Sequence, residues 1–246
     1  MGLERNGARM RIVIIGAGRA GTSLAGAFHQ AGYDVTVCHH DEVHTLPSAD
    51  AIVLCVPDDA IATVASLLPR TDAVVMHVAG SRTLDVLGDH ERVASMHPLV
   101  ALPNGDIGQR RLNGSVFTVA GDHLATELVR AIGGRPITLR DEDRVAYHAA
   151  ACIAANHLVT LLHSVGELAD GIGMSLEDFL PLAQSAIDDA ATMGPLAALT
   201  GPASRGDLTT IDAHLAALPD AARPLYVALA NEALVLGEAQ RARTRS

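Results

Sequence analysis

Short β-branched runs alternate with helical spacing through the first half of the chain, and then the strand signal stops. Apolar runs at 11–15, 34–38, 51–56, 73–78, 93–95, 115–119 and 136–139 predict strands. Between them, the spacing at 20–31, closed by Gly32, and at 58–68 predicts helices, the second capped by Asp58 or Asp59. Such alternation is the pattern of a parallel sheet wrapped by helices. From about residue 140 the apolar positions recur at helical spacing instead, over 144–170 ended by Gly171, then 176–192, 208–217 and 221–238. Ser175 with Asp178 three residues later reads as a capping box for the second of these. The expected organisation is an α/β domain over residues 1–140 and an all-helical domain over 141–246, with the first long helix as the bridge.

The chain has 246 residues, 49% hydrophobic and 19% charged, which is enough for one large domain or two modest ones with cores of their own. A net charge of −10, with no basic cluster beyond Arg241, Arg243 and Arg245, argues against a nucleic-acid groove and for small-molecule partners. All 18 residues of the Lys+Arg count are arginine, so mechanisms built on a Schiff-base, P-loop or pyridoxal lysine are excluded. Cys38, Cys55 and Cys152 are odd in number and in no CxxC spacing, which suggests neither a disulfide framework nor a thiolate metal site and suits a reducing cytoplasm.

The polar start offers no apolar segment before Ile12, so no secretory signal is expected, only a frayed tail. Residues 145–162 approach the length and hydropathy of a membrane span, but they hold Tyr147, His148, Asn156, His157 and Thr160 and read as a buried bundle helix, with no membrane partner. Aromatic residues make up 2% of the chain and tryptophan is absent, so the helices must pack through Ala, Leu and Val. A helical half of that size struggles to bury its apolar faces alone, and a homodimer through roughly residues 145–240 is expected.

The strand RIVII runs directly into Gly16-Ala17-Gly18-Arg19-Ala20-Gly21, a GxGxxG element, and then into a helix. Gly16 suits the tight turn, Gly18 the close approach of a pyrophosphate, and Gly21 the packing of helix on strand, while the helix N-terminus attracts the anion. Strand before, helix after and a second strand beyond make this a Rossmann-type dinucleotide signal rather than a bare glycine-rich turn. The second strand ends in Cys38-His39-His40-Asp41. An NAD site places a carboxylate there, whereas His39, His40 and Arg19 can donate to the 2′-phosphate of NADP, so NADPH is favoured over NADH. No carboxylate or cysteine completes a metal-ligand set with His39, His40 and His44, which read as a solvated loop.

Val56 and Pro57, at the end of the third strand, should border the cofactor. Ser81 and His97 follow the fourth and fifth strands, where ligands of open α/β sheets bind. The bland alternatives are a helix N-cap for Ser81 and a turn histidine before proline for His97.

The combination of GAGRAGTSLA, AIVLCVPDDAI, HVAGS, MHPL, YHAAACIAANHL and TGPASRGD resembles a family with a Rossmann-like domain followed by "domain of unknown function 2520". That family is related to the 6-phosphogluconate dehydrogenase, pyrroline-5-carboxylate reductase and ketopantoate reductase group. The resemblance runs from about residue 10 to 238 and implies an NAD(P)-binding domain, a dimer-forming helical domain and reduction of a small oxo or imino compound. Better-known relatives place a catalytic lysine four residues before an asparagine on the first helix of the second domain. Asn156 fits the asparagine, but Cys152 stands where the lysine would be.

Without lysine, the proton that must accompany hydride transfer falls to histidine, whose pKa lies near ambient pH. His148 lies eight residues before Asn156 and nearly on its helical face, and is the candidate general acid, with His97 second. Asn156 would orient substrate, its alternative being a polar knot between helices. Arg205, in TGPASRGD, could grip a carboxylate bidentately or form a salt bridge, and Asp207 is a helix N-cap.

The leading reading is an NAD(P)H-dependent reductase of a small oxo acid, with ketopantoate as the concrete case. An imine reductase of the pyrroline-5-carboxylate type and an inactive nucleotide-sensing protein are the alternatives. A deazaflavin partner is not excluded by any residue.

Overall fold

The computed structural model describes residues 4–5 and 8–244. Arg245 and residues 1–3 and 6–7 of the N-terminal tail lie outside the described residues, while Glu4–Arg5 pairs antiparallel with Ala8–Arg9. By internal packing the chain divides into two units, Met1–Asn156 and His157–Ser246.

The first unit is built on a seven-stranded sheet: β1 (Arg11–Ile15), β2 (Asp34–Cys38), β3 (Ala51–Leu54), β4 (Val74–His77), β5 (Val93–Pro98), β6 (Val116–Gly121) and β7 (Arg135–Thr138). Their order is β2-β1-β3-β4-β5-β6-β7, and the first five are parallel. The expectation of parallel strands throughout is corrected at one place, where β6 runs antiparallel to β5; β7 is parallel to β6. Periodicity reports that a strand is buried and is silent on its direction.

Why these runs form central strands is visible in their burial. Ile12 and Ile14 face one hydrophobic cluster, with Phe28, Val53, Met76 and Phe117, while Val13 and Ile15 face another, with Ile52, Leu54, Ile61 and Val75. A strand covered on both faces needs apolar residues without alternation, which is how RIVII and AIVL read. Helices α1 (Arg19–Gln30), α2 (Ile61–Leu67), α3 (Gly105–Leu112) and α4 (Leu124–Ala131) accompany the sheet. The last two were not expected. The α3 sequence, GDIGQRRL, carries two glycines and little apolar signal, yet Asn104 Oδ1 caps it by accepting from Ile107 N at 2.9 Å. Conversely, Asp58 and Asp59 do not cap α2, which starts after a turn closed by Ala60 N donating to Pro57 O at 2.9 Å.

A helical run beginning with α5 (Arg144–Cys152) passes through a π-turn, Ile153–His157, into α6 (Leu158–Asp170). It is long and apolar enough to cross a membrane by length and composition. The expectation of a buried bundle helix is overturned: Val145 is 72% exposed and Val159 66%. Small alanines leave a helix little bulk with which to draw cover over itself.

In the second unit, α6 is followed by α7 (Leu176–Met193), α8 (Pro195–Ala198), α9 (Gly201–Arg205), α10 (Leu208–Ala217) and α11 (Arg223–Thr244). The Ser175/Asp178 capping box forms. Helix α9 lies against α11 at Gly237, where a Cβ would meet Ala203 O at 2.3 Å, and Arg241 Nη1 donates to the carbonyls of Ala203 and Ser204 at 3.1 and 2.7 Å. Asp207 caps α10 as expected, accepting from Thr210 N at 3.1 Å.

The glycine loop joins β1 to α1. Gly16 has φ +112°, which an L side chain resists, and a Cβ on Gly21 would fall 1.9 Å from Gly16 O. Gly18 has nothing within 4 Å of its Cβ position and φ −74°, so alanine fits there. Gly21→Ala should therefore lower folding stability by about 1–3 kcal/mol in urea unfolding, whereas Gly18→Ala should leave it near the parent value.

Candidate active site

The carboxyl ends of the parallel strands carry nearly every candidate residue of the first unit. Gly16 and Gly18 lie in the β1–α1 loop, Arg19, Ala20 and Gly21 form the first turn of α1, and His39 and His40 leave the end of β2. Val56 and Pro57 leave the end of β3. Because β1 lies between β2 and β3, the chain reverses direction across the sheet at this point, which is where such folds bind ligands.

The loop fits a pyrophosphate. Gly18, the N-cap of α1, presents open space where a side chain would stand, and the first turn of a helix leaves its N–H groups without intrahelical partners. His39, His40 and His44 are solvent-exposed, and the segment is more regular than a loop: His40–Thr45 forms a 3₁₀ helix capped by His39, whose own N–H donates to Glu42 Oε2 at 2.6 Å. His39, His40 and Arg19 are all exposed.

A second group assembles at the ends of β4 and β5. Fully buried His77 uses both ring nitrogens on backbone: Nδ1 accepts from Ala79 N at 3.2 Å and Nε2 lies 3.3 Å from Thr83 O. These bonds shape the loop that carries Gly80 and Ser81. No helix begins at Ser81; its hydroxyl donates to Asp58 Oδ2 at 3.3 Å, linking the loops that follow β3 and β4. His97 is a strand residue of β5 rather than a turn histidine, and its Nδ1 lies 2.7 Å from the Tyr147 hydroxyl.

Helix α5 supplies the other wall. Arg144, Tyr147, His148 and Cys152 recur at intervals of three and four and so share a face. Arg144 is 1% exposed; its Nε donates to Asp141 Oδ1 and its Nη2 to Ser95 Oγ, both at 2.7 Å. His148 stacks edge-on to His97 with ring centroids 6.0 Å apart, and its Nε2 lies 3.6 Å from Cys152 Sγ. The wider π-turn brings Asn156 back toward the same side. His97, Tyr147, His148, Cys152 and Asn156 line one cavity of about 620 Å³, whose remaining lining is Pro98, Leu99, Val100 and five alanines.

The structure thus unites His97, His148 and Asn156. Ser81 adjoins them through Gly80 and is not part of the lining. Arg205 belongs to the second unit, where its guanidinium lies 4.0 Å from Asp207 and its side chain is 65% exposed. Sequence reasoning missed Tyr147, Gly80, Arg144 and His77, although the YHAAA and HVAGS segments that contain three of them had been noticed.

Burial pushes His77 down to about 4, helped by the Arg144 charge, and burial pushes His97 down to about 4, helped by His148. Burial also raises the Tyr147 phenol, which stays protonated. Among the described residues no group of three or more His, Cys, Asp or Glu side chains is placed to hold a metal ion.

Fold and site together define a doubly wound, Rossmann-type α/β unit with a dinucleotide-type glycine loop, followed by a helical unit. Residues 117–233 match the family described as "Domain of unknown function (DUF2520)", and residues 11–53 match "Pyridine nucleotide-disulphide oxidoreductase". The resemblance drawn from the motifs is borne out.

Among solved structures, a candidate NADP oxidoreductase of Bacteroides fragilis is 24% identical, covering 92% of this chain and 98% of its own, with a TM-score of 0.78. A Thermotoga maritima protein is 21% identical over 94% and 99% of the two chains, with a TM-score of 0.73. The 1-pyrroline-5-carboxylate reductase of Streptococcus pyogenes is 13% identical over 92% and 99%, with a TM-score of 0.62. At these identities the likeness establishes a common fold. No curated protein matches the chain.

The two depressed imidazoles have a consequence for stability. Folded, both lose their protons near pH 4, against 6.5 for an ordinary histidine. Between those values the unfolded chain binds more protons, so stability rises with pH. The contribution is whole above about 6.5 and drains as pH falls toward 4. Urea unfolding across this window should show a loss on the order of a few kcal/mol, made shallower by His77→Asn or His97→Gln.

Proposed function

We propose that the chain is an NAD(P)H-dependent oxidoreductase that reduces a small oxo compound, with NADPH preferred. The observation that carries this reading is the meeting of His148, His97, Tyr147 and Asn156 in one cavity at the carboxyl end of β5, on the sheet whose switch point bears the glycine loop. The names of the relatives, an NADP oxidoreductase and a pyrroline-5-carboxylate reductase, support the same class. Arg19, His39 and His40 are the groups proposed to meet a 2′-phosphate, and Val56 and Pro57 to border the nucleotide.

A bound reduced nicotinamide would supply the hydride. The chain supplies the proton: His148 is the general acid, and Asn156 orients the substrate from the π-turn eight residues further along the same helical run. His97, with its proton affinity depressed, is suited to donating a hydrogen bond rather than to carrying a proton at neutral pH.

Ketopantoate remains the most concrete oxo acid. Arg205, exposed on the second unit, is the arginine proposed for a carboxylate group. A pyrroline-5-carboxylate-type imine is the second reading, favoured by the relative of that name. Cytoplasmic location is proposed from three free cysteines.

NADPH at about 100 times its dissociation constant should add about 2.7 kcal/mol and raise the melting midpoint, more than NADH does. His148→Gln should keep that shift and lower turnover of the oxo substrate about 10²–10⁴-fold. Absence of a shift with either nucleotide would overturn the reading.

We also propose a homodimer through the helical unit. Leu182 is 67% exposed and Val235 65%, with Leu180, Ile187 and Leu229 also exposed, while Ala169, Ala203 and Ile211 are its buried apolar side chains among the described residues. A surface so apolar needs cover. Light scattering should return twice the chain mass, and a single-chain mass would remove the proposal.

A further inference from the structure

His77 ends β4, is fully buried and does not line the cavity, yet both of its ring nitrogens are engaged. Ala79 N–H donates to Nδ1 at 3.2 Å, so that nitrogen carries no proton. The neutral ring therefore holds its proton on Nε2, which faces a pure acceptor, Thr83 O, at 3.3 Å. Burial keeps the ring neutral down to about 4, helped by the Arg144 charge. One imidazole thus braces the loop after β4 at two points, Ala79 and Thr83.

Between those two points the backbone passes under the site. Gly80 is buried, and a Cβ on it would fall 2.7 Å from His148 Nδ1 and 3.0 Å from both Cε1 and Nε2 of His97. Both rings already fill the space a side chain would need, so they rest directly on the glycine backbone. Ser81, the next residue, ties the same loop to Asp58 at 3.3 Å, but Asp58 is exposed and its hold is the weaker one. The stretch of chain that His77 braces is therefore the stretch against which the His148 and His97 rings pack.

We propose that His77 is a positioning residue of the site, which through the backbone from Ala79 to Thr83 fixes where the imidazoles of His148 and His97 stand. Its consequence for catalysis rests on the reductase reading, in which His148 is the general acid. A proton donor must stand within hydrogen-bond reach of the atom it serves, and a misplacement of about 1 Å can cost about 10²-fold in rate. A loosened loop would let both rings sink toward Gly80 with α5 itself untouched. Substitutions at position 77 separate the two bonds. His77→Asn puts a side-chain carbonyl where it can accept from the N–H two residues on, as in an Asx turn, and keeps the tie to Ala79. His77→Gln carries its amide farther out and leaves Ala79 N–H without that acceptor, and His77→Leu removes both ties.

Ring-¹⁵N NMR of the histidine-labelled full chain tests the inference. The parent should show a neutral His77 with its proton on Nε2. His77→Leu should move the ring signals of His148 and His97, with which His77 shares no hydrogen bond, while that of His29 on α1 stays in place; His77→Asn should leave them nearest the parent. With NADPH and ketopantoate, His77→Leu should lower kcat about tenfold with KM within about twofold, and His77→Asn should recover most of the loss. Gly80→Ala displaces the same rings directly, so His77→Leu combined with it should lower kcat no further than the worse single variant, as sites acting through one loop do.

A proton on His77 Nδ1, unmoved His148 and His97 signals in His77→Leu, or costs that multiply in the double variant overturns the inference. If His77→Leu does not fold, His77→Gln takes its place, and identical ring signals in the Gln and Asn variants overturn it. The NADPH-induced melting shift is read on the same parent sample. Its absence overturns the reductase reading, and lack of turnover overturns ketopantoate; in either case the ring signals alone decide the positioning role.

Discussion

A guanidinium with almost no access to water holds the site helix to the sheet. Arg144 cannot lose its proton, so its charge must be met inside the protein. It is met by Asp141, one turn earlier, and by Ser95 of β5, each at 2.7 Å. Burying such a group is unfavourable unless its geometry is good, and good geometry here fixes both the rotation of α5 and its height above β5. Tyr147, His148 and Cys152 then follow on the same face, over the strand that carries His97. The same charge bears on the titration of the neighbouring imidazoles, adding to the burial that keeps His77 and His97 neutral. One residue therefore couples the placement of the site to its electrostatics, and neither is adjustable without the other.

Burial of that kind is invisible in a linear pattern, and it separates what the sequence discloses from what it hides. Central strands were legible because a strand covered on both faces must be continuously apolar, as β1, β3 and β4 are. The glycine loop was legible because Gly16 and Gly21 answer steric demands that other residues cannot meet. Helix α3 was hidden because polar and glycine residues weakened its periodicity, while an asparagine cap and its packing on α1 stabilise it. The antiparallel β6 was hidden because side-chain burial carries no record of chain direction.

In the site the division is similar. His97, His148 and Asn156 were legible from position, at a strand end and along a helix. Arg144, Gly80 and Tyr147 were not, since their roles arise from approaches between segments some fifty or more residues apart, such as Ser95 with Arg144 and Gly80 with His148. Asp58 was assigned to a helix cap and instead accepts from Ser81, a choice made by the loop after β4 and not by its own neighbours.

The segment TGPASRGD illustrates how a distinctive motif can be distinctive for packing. Its short helix α9 is pressed onto α11 at Gly237, and Arg241 caps its last carbonyls, while Asp207 starts the next helix. Glycine, proline and aspartate in it are thereby accounted for by geometry alone. Arg205 is the member of the motif that the packing leaves over, extended from the end of α9 with a distant partner in Asp207. The motif thus separates into a frame that fixes a loop and one side chain that the frame presents.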